Sequence, residues 1–167
     1  MFDVGDKVVY PHHGAGTVVS KELRTVLGES REYLTIQILH DDLTVNVPNE
    51  NAEKVGLRRV IDEEAVESVI GVLHGSGTTM SKNWKQRFKY NRGKMKTGDV
   101  FELAEVVRDL SLREQDKGLS TAEKQMFVKA KRIMSSEFMY AKDMDEEQTA
   151  EWFDEVLASV GRTVVPA

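Results

Sequence analysis

The first fifty residues contain short runs of alternating apolar and polar positions, the period of a β-strand. Lys7–Tyr10 is rich in valine and stops at Pro11, and Gly14 and Gly16 predict the turn that follows. Residues 17–26 predict a second strand that contains a bend or a bulge. The chain therefore opens with two strands joined by a tight connection.

The strand pattern continues to residue 48. A turn at residues 27–30 leads into a third strand at residues 33–39. Asp41 and Asp42 form a tight turn into residues 43–48, which alternate at period two and end in proline. Several short strands with tight turns in about 50 residues predict a small SH3-like or Tudor-like β-barrel.

From residue 61 the apolar spacing changes to the i, i+3, i+4, i+7 pattern of helices. Capping residues mark the predicted helix starts, and they are Asp62, Asn83, Asp99 with Glu102, Ser120 with Glu123, and Asp145. Strands followed by helices, with no alternation of the two, predict an α+β protein. We expect a Tudor-like domain over residues 1–53, an all-α helical domain over 54–160 and a flexible tail over 161–167.

Composition excludes several classes of function. The chain has no cysteine, which excludes disulfides, cysteine-based zinc sites and thiol chemistry. No apolar run approaches the roughly 18–20 residues that span a bilayer, and the N-terminal residues lack the basic and apolar regions of a signal peptide. We therefore expect a cytoplasmic protein without a membrane partner.

The distribution of charge is more informative than the net charge of −5. Residues 1–53 carry 4 Lys/Arg against 9 Asp/Glu, and residues 101–167 carry 9 against 14. Residues 54–100 carry 10 against 5, and residues 81–96 contain 7 basic residues and no acid. An acidic protein thus contains one strongly basic stretch.

This basic stretch coincides with the predicted helix that begins near Asn83. On a wheel of 100° per residue, Phe88 and Met95 fall within about 40° of Trp84 and form an apolar stripe. The neighbouring stripe is basic and consists of Lys85, Lys89, Arg92 and Lys96. Like charges at these spacings weaken an isolated helix, so a polyanion such as nucleic acid is a natural partner; the alternative is the solvated face of a packed helix.

Two interpretations of Trp84 remain open. A tryptophan in the first turn of a helix can close the core over Phe88. It can also act as an apolar wedge or stacking plate against bases, flanked by cations that contact phosphates.

Other chemistry is poorly supported by the sequence. His12 and His13 are adjacent, and zinc needs three or four ligands, so a turn is a better interpretation than a metal site. No set of nucleophile, base and orienting group is visible. We expect neither an enzyme nor a protein with a cofactor, a metal or a small-molecule substrate.

Several separated segments resemble one family of proteins. They are Val4-Gly-Asp-Lys-Val-Val-Tyr-Pro-His-His-Gly14, Asp42-Leu-Thr-Val45, Val47-Pro48, Glu50-Asn-Ala-Glu53, Asn83-Trp84, Ala104-Glu-Val-Val-Arg-Asp-Leu110 and Gly118-Leu-Ser120. In this order they resemble the CarD/CdnL family of bacterial transcription regulators, most of all its actinobacterial branch. The similarity extends from the N-terminal strands to about Ser159.

The resemblance implies a partner for each part of the chain. The Tudor-like domain would bind the β subunit of RNA polymerase, as the corresponding domain of transcription-repair coupling factor does. The helical domain would contact double-stranded promoter DNA at the upstream edge of the transcription bubble. There the tryptophan that matches Trp84 would wedge into the minor groove and stabilise the open complex.

The resemblance also assigns residues. DNA contacts map onto Trp84, Arg87, Lys89, Arg113 and Lys124, beside Lys85 and Arg92 of the basic helix. A polymerase-contacting arginine maps onto Arg24. Asn46 stands where relatives place an arginine near polymerase, and Gln86 stands where a basic residue is common. The alternative function is an adaptor that uses the barrel and the basic helix for protein or RNA partners.

Overall fold

The computed structural model describes residues 2–40 and 42–160. Five strands form one antiparallel sheet and five helices follow it, which confirms the α+β class. The strands are β1 (Lys7–Tyr10), β2 (Gly14–Val26), β3 (Glu29–Ile38), β4 (Thr44–Pro48) and β5 (Arg58–Arg59). Their order is β4-β3-β2-β1-β5. The predictions for Asp41 and for residues 161–167 lie outside the described residues.

The sheet extends beyond the predicted end of the first domain at residue 53. A short 3-10 helix (Asn49–Asn51) follows β4, and the chain then returns as β5. This strand pairs with β1, with Arg59 opposite Val8. A division at residue 53 would therefore remove one edge strand from its sheet.

Both connections near the ends of β2 are tighter than the sequence predicted. Leu27 and Gly28 alone link β2 to β3, and both have positive φ, which is typical of a two-residue type I′ hairpin. Gly14 and Gly16 belong to β2 rather than to a turn. The predicted irregularity in β2 is present as a bulge between Val18 and Ser20.

Alternation along the strands separates two hydrophobic cores. Val8 faces a small core between the strands, together with Leu34 and Ile36 of β3. Val9, the next residue, points to the opposite face of β1, where it joins the larger core of the helices with Ala15. One face of the sheet therefore encloses the small core, and the other packs on the helices only at β1 and the start of β2.

The helices begin where the capping residues predicted. They are α1 (Glu63–Leu73), α2 (Trp84–Lys96), α3 (Val100–Asp116), α4 (Thr121–Ala141) and α5 (Glu146–Ala158). Ser120 and Glu123 form the predicted reciprocal capping box of α4. Asp99 caps α3 through the N–H groups of Phe101 and Glu102, but Glu102 makes no return bond to it.

Polar contacts attach the sheet to α4. The Arg58 guanidinium donates to both carboxylate oxygens of Glu137 at 2.6 and 2.7 Å, and Glu137 is only 1% exposed. The Ala15 N–H donates to the Ser136 hydroxyl at 2.9 Å. A Cβ on Gly14 would lie 2.8 Å from that hydroxyl oxygen, so this close approach requires glycine. The segment around His12 and His13 thus shapes a contact with α4.

Candidate functional site

Trp84 is the first residue of α2, and its position is fixed by the loop before it. The Asn83 carboxamide accepts the N–H groups of Lys85 at 2.9 Å and Gln86 at 3.4 Å, which caps the helix. Phe88 and Met95, on the same stripe, pack against the helical core, whereas Trp84 remains 43% exposed. The structure therefore does not place Trp84 as a closed cap of the core.

The four residues of the predicted basic stripe, which we call the α2 stripe, are all exposed. They are Lys85, Lys89, Arg92 and Lys96. None of them forms an ion pair with an acid within residues 2–40 and 42–160. Lys85 lies 5.9 Å from the centre of the Trp84 ring, and Arg92 lies 6.0 Å from that of Phe88. The stripe is thus a row of cations without protein counter-charges in the part that is described.

Arg87 requires a correction. The resemblance assigned it to the DNA surface, but its side chain is 3% exposed and all three of its nitrogens are bound inside the protein. Nε and Nη2 donate to the Glu123 carboxylate at 3.1 and 2.9 Å. Nη1 donates to the carbonyls of Ser81 and Lys82 at 3.1 and 2.9 Å. This guanidinium is committed to holding the loop before Trp84 against α4.

Glu123 completes this arrangement. Its carboxylate is fully buried and also accepts the N–H and the hydroxyl of Ser120. Burial raises the pKa of the Glu123 carboxyl, but the hydrogen bonds from Arg87 and Ser120 outweigh it and hold the pKa below its ordinary value of 4.5. The pair is therefore charged at neutral pH, and it ties the first turn of α4 to the first turn of α2.

Lys94 is a second basic residue of α2 that points away from the stripe. Its ammonium group forms an ion pair with Glu105 of α3 and lies 4.9 Å from the centre of the Tyr90 ring. Two of the seven basic residues between positions 81 and 96 thus serve packing between helices. The sequence alone did not distinguish these two from the rest.

The two remaining DNA assignments lie on other helices. Lys124 follows Glu123 in the first turn of α4 and is exposed, at the end of α4 that contacts α2. Arg113 lies on α3, half-buried in a cleft beside Thr78 and Asp109. Its Nε has no hydrogen-bond partner among the described residues. Lys124 thus follows the residue that pairs with Arg87 of α2, whereas Arg113 lines a separate cleft.

The sheet brings Arg24 and Asn46 to one exposed face. Arg24 on β2 is opposite Arg31, and Asn46 on β4 is opposite Thr35. Arg31 and Thr35 are four residues apart on β3, so both point away from the buried Leu34. We call this surface of β2, β3 and β4 the outer face of the sheet. It carries both predicted polymerase contacts.

The contacts of these two residues differ. The Arg24 guanidinium lies 5.7 Å from the centre of the Tyr33 ring and 3.4 Å from the Glu22 carboxylate. The Asn46 carbonyl oxygen accepts a hydrogen bond from the Thr35 hydroxyl at 2.8 Å. Asn46 is therefore held within the sheet by a bond that an arginine at this position could not accept.

The tip of the β2–β3 hairpin is apolar, which the sequence analysis missed. Leu23 is 74% exposed and Leu27 is 99% exposed, and Val26 lies between them, also exposed. The signal in the sequence was present: Leu27 occupies a two-residue turn where polar residues are usual. Exposed apolar side chains at a hairpin tip are typical of an interaction surface.

Two other kinds of site are absent from residues 2–40 and 42–160. Across residues 2–40 and 42–160, no group of three or more His, Asp or Glu side chains is arranged to hold a metal ion. None of the described helices has both the length and the apolar character needed to cross a membrane.

Comparisons with known proteins cover both parts of the chain. Residues 2–61 match the family model described as CarD-like/TRCF RID domain, and residues 68–154 match the CarD C-terminal domain. YdeB of Bacillus subtilis (strain 168), a candidate transcription factor, is 35% identical over 148 residues, which are 89% of this chain and 97% of YdeB.

A solution NMR structure of the 72-residue N-terminal domain of Myxococcus xanthus CarD is also similar, at 30% identity and a TM-score of 0.31. It aligns with 35% of this chain and 79% of that one. The two family models together span both the sheet and the helices, and YdeB aligns over nearly its whole length. The chain therefore belongs to the CarD/CdnL family of bacterial transcription regulators.

Proposed function

We propose that this regulator binds the β subunit of RNA polymerase through the outer face of the sheet and promoter DNA through α2. In this proposal Trp84 wedges into the minor groove at the upstream edge of the bubble and stabilises the open complex. The observation that carries the DNA part is Trp84 itself. It is a half-exposed aromatic side chain at the start of a helix whose α2 stripe has no acidic partner among the residues that the structure describes.

The electrostatics favour a tethered contact rather than free binding to DNA. The net charge is −5, and the α2 stripe supplies four cations. Binding of free DNA depends on the number of phosphates that are neutralised, so it should be weak. Attachment to polymerase through the sheet would raise the effective concentration of α2 at the promoter.

The energy of wedging favours melted DNA. A side chain that enters an intact duplex must unstack a base step, which costs a few kcal/mol. At the edge of a bubble that stacking is already lost. Because Trp84 then binds the open promoter more tightly than the closed one, it shifts the opening equilibrium toward the open state.

The outer face of the sheet supports the polymerase part. The match to the CarD-like/TRCF RID domain covers the whole sheet. Arg24 supplies a charge on this face, and Val26 and Leu27 supply apolar surface at the adjoining hairpin tip. Apolar residues beside an arginine are the composition that protein interfaces favour.

The lifetime of the open complex tests the proposal. Trp84→Ala should shorten it roughly 5- to 150-fold, because loss of one base–aromatic stack costs about 1–3 kcal/mol. Capture of polymerase by the variant should persist. Arg24→Glu should instead reduce both capture and lifetime, since it reverses a charge on the outer face.

Phe101→Ala provides the matched control. Phe101 is the second residue of α3 and is 42% exposed, so it resembles Trp84 in size, exposure and position in a helix. The Phe101→Ala variant should leave the lifetime of the open complex unchanged. An unchanged lifetime with Trp84→Ala would exclude the wedge, and it is the result that an adaptor without DNA contact predicts.

A further inference from the structure

A groove of about 230 Å³ runs between α2 and α4. Its floor is apolar and consists of Phe88, Met95 and Met126. Its rim carries Arg92 from α2, Lys129 from α4, and His12 from the segment between β1 and β2. We call it the α2–α4 groove.

The direction of the two helices relates this groove to Trp84. The Arg87–Glu123 pair joins their first turns, and Met95 and Lys129 line the groove further along. The helices therefore run side by side in the same direction. The groove begins near the Trp84 end of α2 and continues toward His12.

Positive charge converges at the His12 end. Burial, followed by the charges of Lys129, His13 and Lys96, lowers the pKa of His12 below its ordinary value of 6.5. Lys129 of α4 lines the groove beside His12, and Lys96 of α2 acts on the same imidazole. Neither lysine pairs with an acid among the described residues. Two helices therefore present cations to one groove without a counter-charge in the described part of the chain.

A second depression adjoins the first. It shares His12, Gln125 and Lys129 with the α2–α4 groove and continues along α4 to Ile133. Lys129 thus stands between the two. A chain of anionic groups is the occupant that matches Arg92 and Lys129 on the two sides of the groove, because each of these cations can neutralise one of them.

We propose that the α2–α4 groove binds the sugar–phosphate backbone of the duplex next to the bubble, and that Lys129 is a phosphate contact on its α4 side. This inference rests on the proposed binding of DNA by α2. It extends the predicted DNA surface along α4 from Lys124 to Lys129. The apolar floor suits the sugar faces, and the rim suits the phosphates.

The length of α2 sets where this contact falls on the DNA. At a rise of 1.5 Å per residue, its 13 residues extend about 20 Å. A DNA strand carries one phosphate per 3.4 Å of duplex axis, so this length corresponds to roughly six base pairs. With Trp84 at the junction and α2 lying along the duplex axis, Lys129 should meet phosphates about four to six base pairs into the duplex.

Lys129→Gln in the full-length protein tests this assignment on two fork-junction DNAs. One has an ordinary duplex arm. The other carries uncharged methylphosphonate linkages about four to six base pairs from the junction. On the ordinary fork, the variant should bind more weakly, and the slope of log K against log salt should fall by about 0.9. On the neutralised fork, variant and wild type should bind equally.

Lys131→Gln is the matched control, because it removes the same charge from the same helix. Lys131 lies 4.3 Å from the centre of the Phe127 ring and does not line the groove. Lys129→Arg keeps the charge and should bind like the wild type. Equal effects of Lys129→Gln and Lys131→Gln on the ordinary fork would overturn the assignment. An equal loss from Lys129→Gln on both forks would also overturn it.

The same measurement separates this inference from the proposed function. If Lys89→Ala weakens fork binding and Lys129→Gln does not, α2 binds DNA and the groove does not. If Lys89→Ala and Trp84→Ala also leave fork binding unchanged, the proposed DNA contact of α2 fails as a whole, and the groove assignment fails with it.

Discussion

Arg87 and Lys89 are two residues apart on α2, yet their charges lie in opposite surroundings. Arg87 is 3% exposed, and its three nitrogens bind Glu123 and two carbonyls of the loop before the helix. Lys89 is exposed and has no acidic partner among the described residues. The basic run is therefore two sets of cations with different tasks.

The buried set holds the helices together. A buried arginine keeps its charge only if its hydrogen bonds are satisfied, and Arg87 meets that condition through a bidentate carboxylate. Arg58 does the same for the sheet through Glu137. Both carboxylates belong to α4, so this helix fixes the position of α2 and that of β5. The exposed set is left for a partner.

The largest expected effect comes from breaking the buried pair. Arg87→Ala leaves the Glu123 carboxylate buried without its cation and should lower the free energy of unfolding by about 3–5 kcal/mol. Arg92→Ala, on the exposed set, should change it by no more than about 0.5 kcal/mol. Equilibrium denaturation by urea measures both.

Arg87→Lys sharpens the result. Lysine keeps the positive charge but cannot reproduce the planar fork that binds both oxygens of Glu123, so it should restore only part of the lost stability. If Arg87→Ala cost no more than Arg92→Ala, the two sets of cations would not differ in the way the structure indicates.

The sequence predicted the local part of this arrangement and missed the tertiary part. Capping residues located the start of every helix, because a cap and its N–H donors are at most a few residues apart. Ser120 and Glu123 were recognised as a capping box for this reason. The other partner of Glu123, Arg87, is 36 residues away in the chain. A pattern of neighbouring residues cannot predict a contact over that separation.

A signal for Arg87 was nevertheless present on the helical wheel. At 100° per residue, Arg87 lies on the side of Trp84 away from the α2 stripe, next to Asn91 and Met95. All three turn out to be the buried residues of α2. The family resemblance assigned Arg87 by its position in a motif. Such a position does not show whether a side chain contacts DNA or holds the DNA-binding helix in place.

Protonation of Glu123 should have a smaller and pH-dependent effect. Its carboxyl has a pKa below the ordinary value of 4.5, so it binds fewer protons in the folded state than in the unfolded one near that pH. The stability that it contributes is therefore complete above about pH 4.5 and is lost as pH falls through the lower folded-state pKa. Glu123→Gln lacks this group.

The expected observation is that wild type and Glu123→Gln differ most in unfolding free energy at neutral pH and converge below pH 4.5. Urea denaturation from neutral pH down to pH 3 would show it, with Glu114→Gln as the control because Glu114 is exposed on α3. A constant difference between wild type and Glu123→Gln across this range would mean that the charge of Glu123 does not act through the pair with Arg87.

The smallest effect on stability is expected at Lys89, where the effect on binding should be clear. Lys89→Ala should leave the free energy of unfolding within about 0.5 kcal/mol of the wild type. In fork-junction DNA binding it should reduce affinity regardless of sequence and lower the salt slope by about one unit, because one phosphate contact is lost. Arg87→Lys, measured on the fraction that is folded, should leave that slope unchanged.

The salt slopes of Arg87→Lys and Lys89→Ala decide whether the cations of α2 are correctly divided into a buried and an exposed set. A reduced slope with Arg87→Lys would place Arg87 among the phosphate contacts, and its bonds to Glu123 would then have to open when DNA binds. An unchanged slope with Lys89→Ala would remove Lys89 from the interface. Lys54→Ala serves as the reference, since Lys54 is an exposed lysine before β5 and outside the α2 stripe.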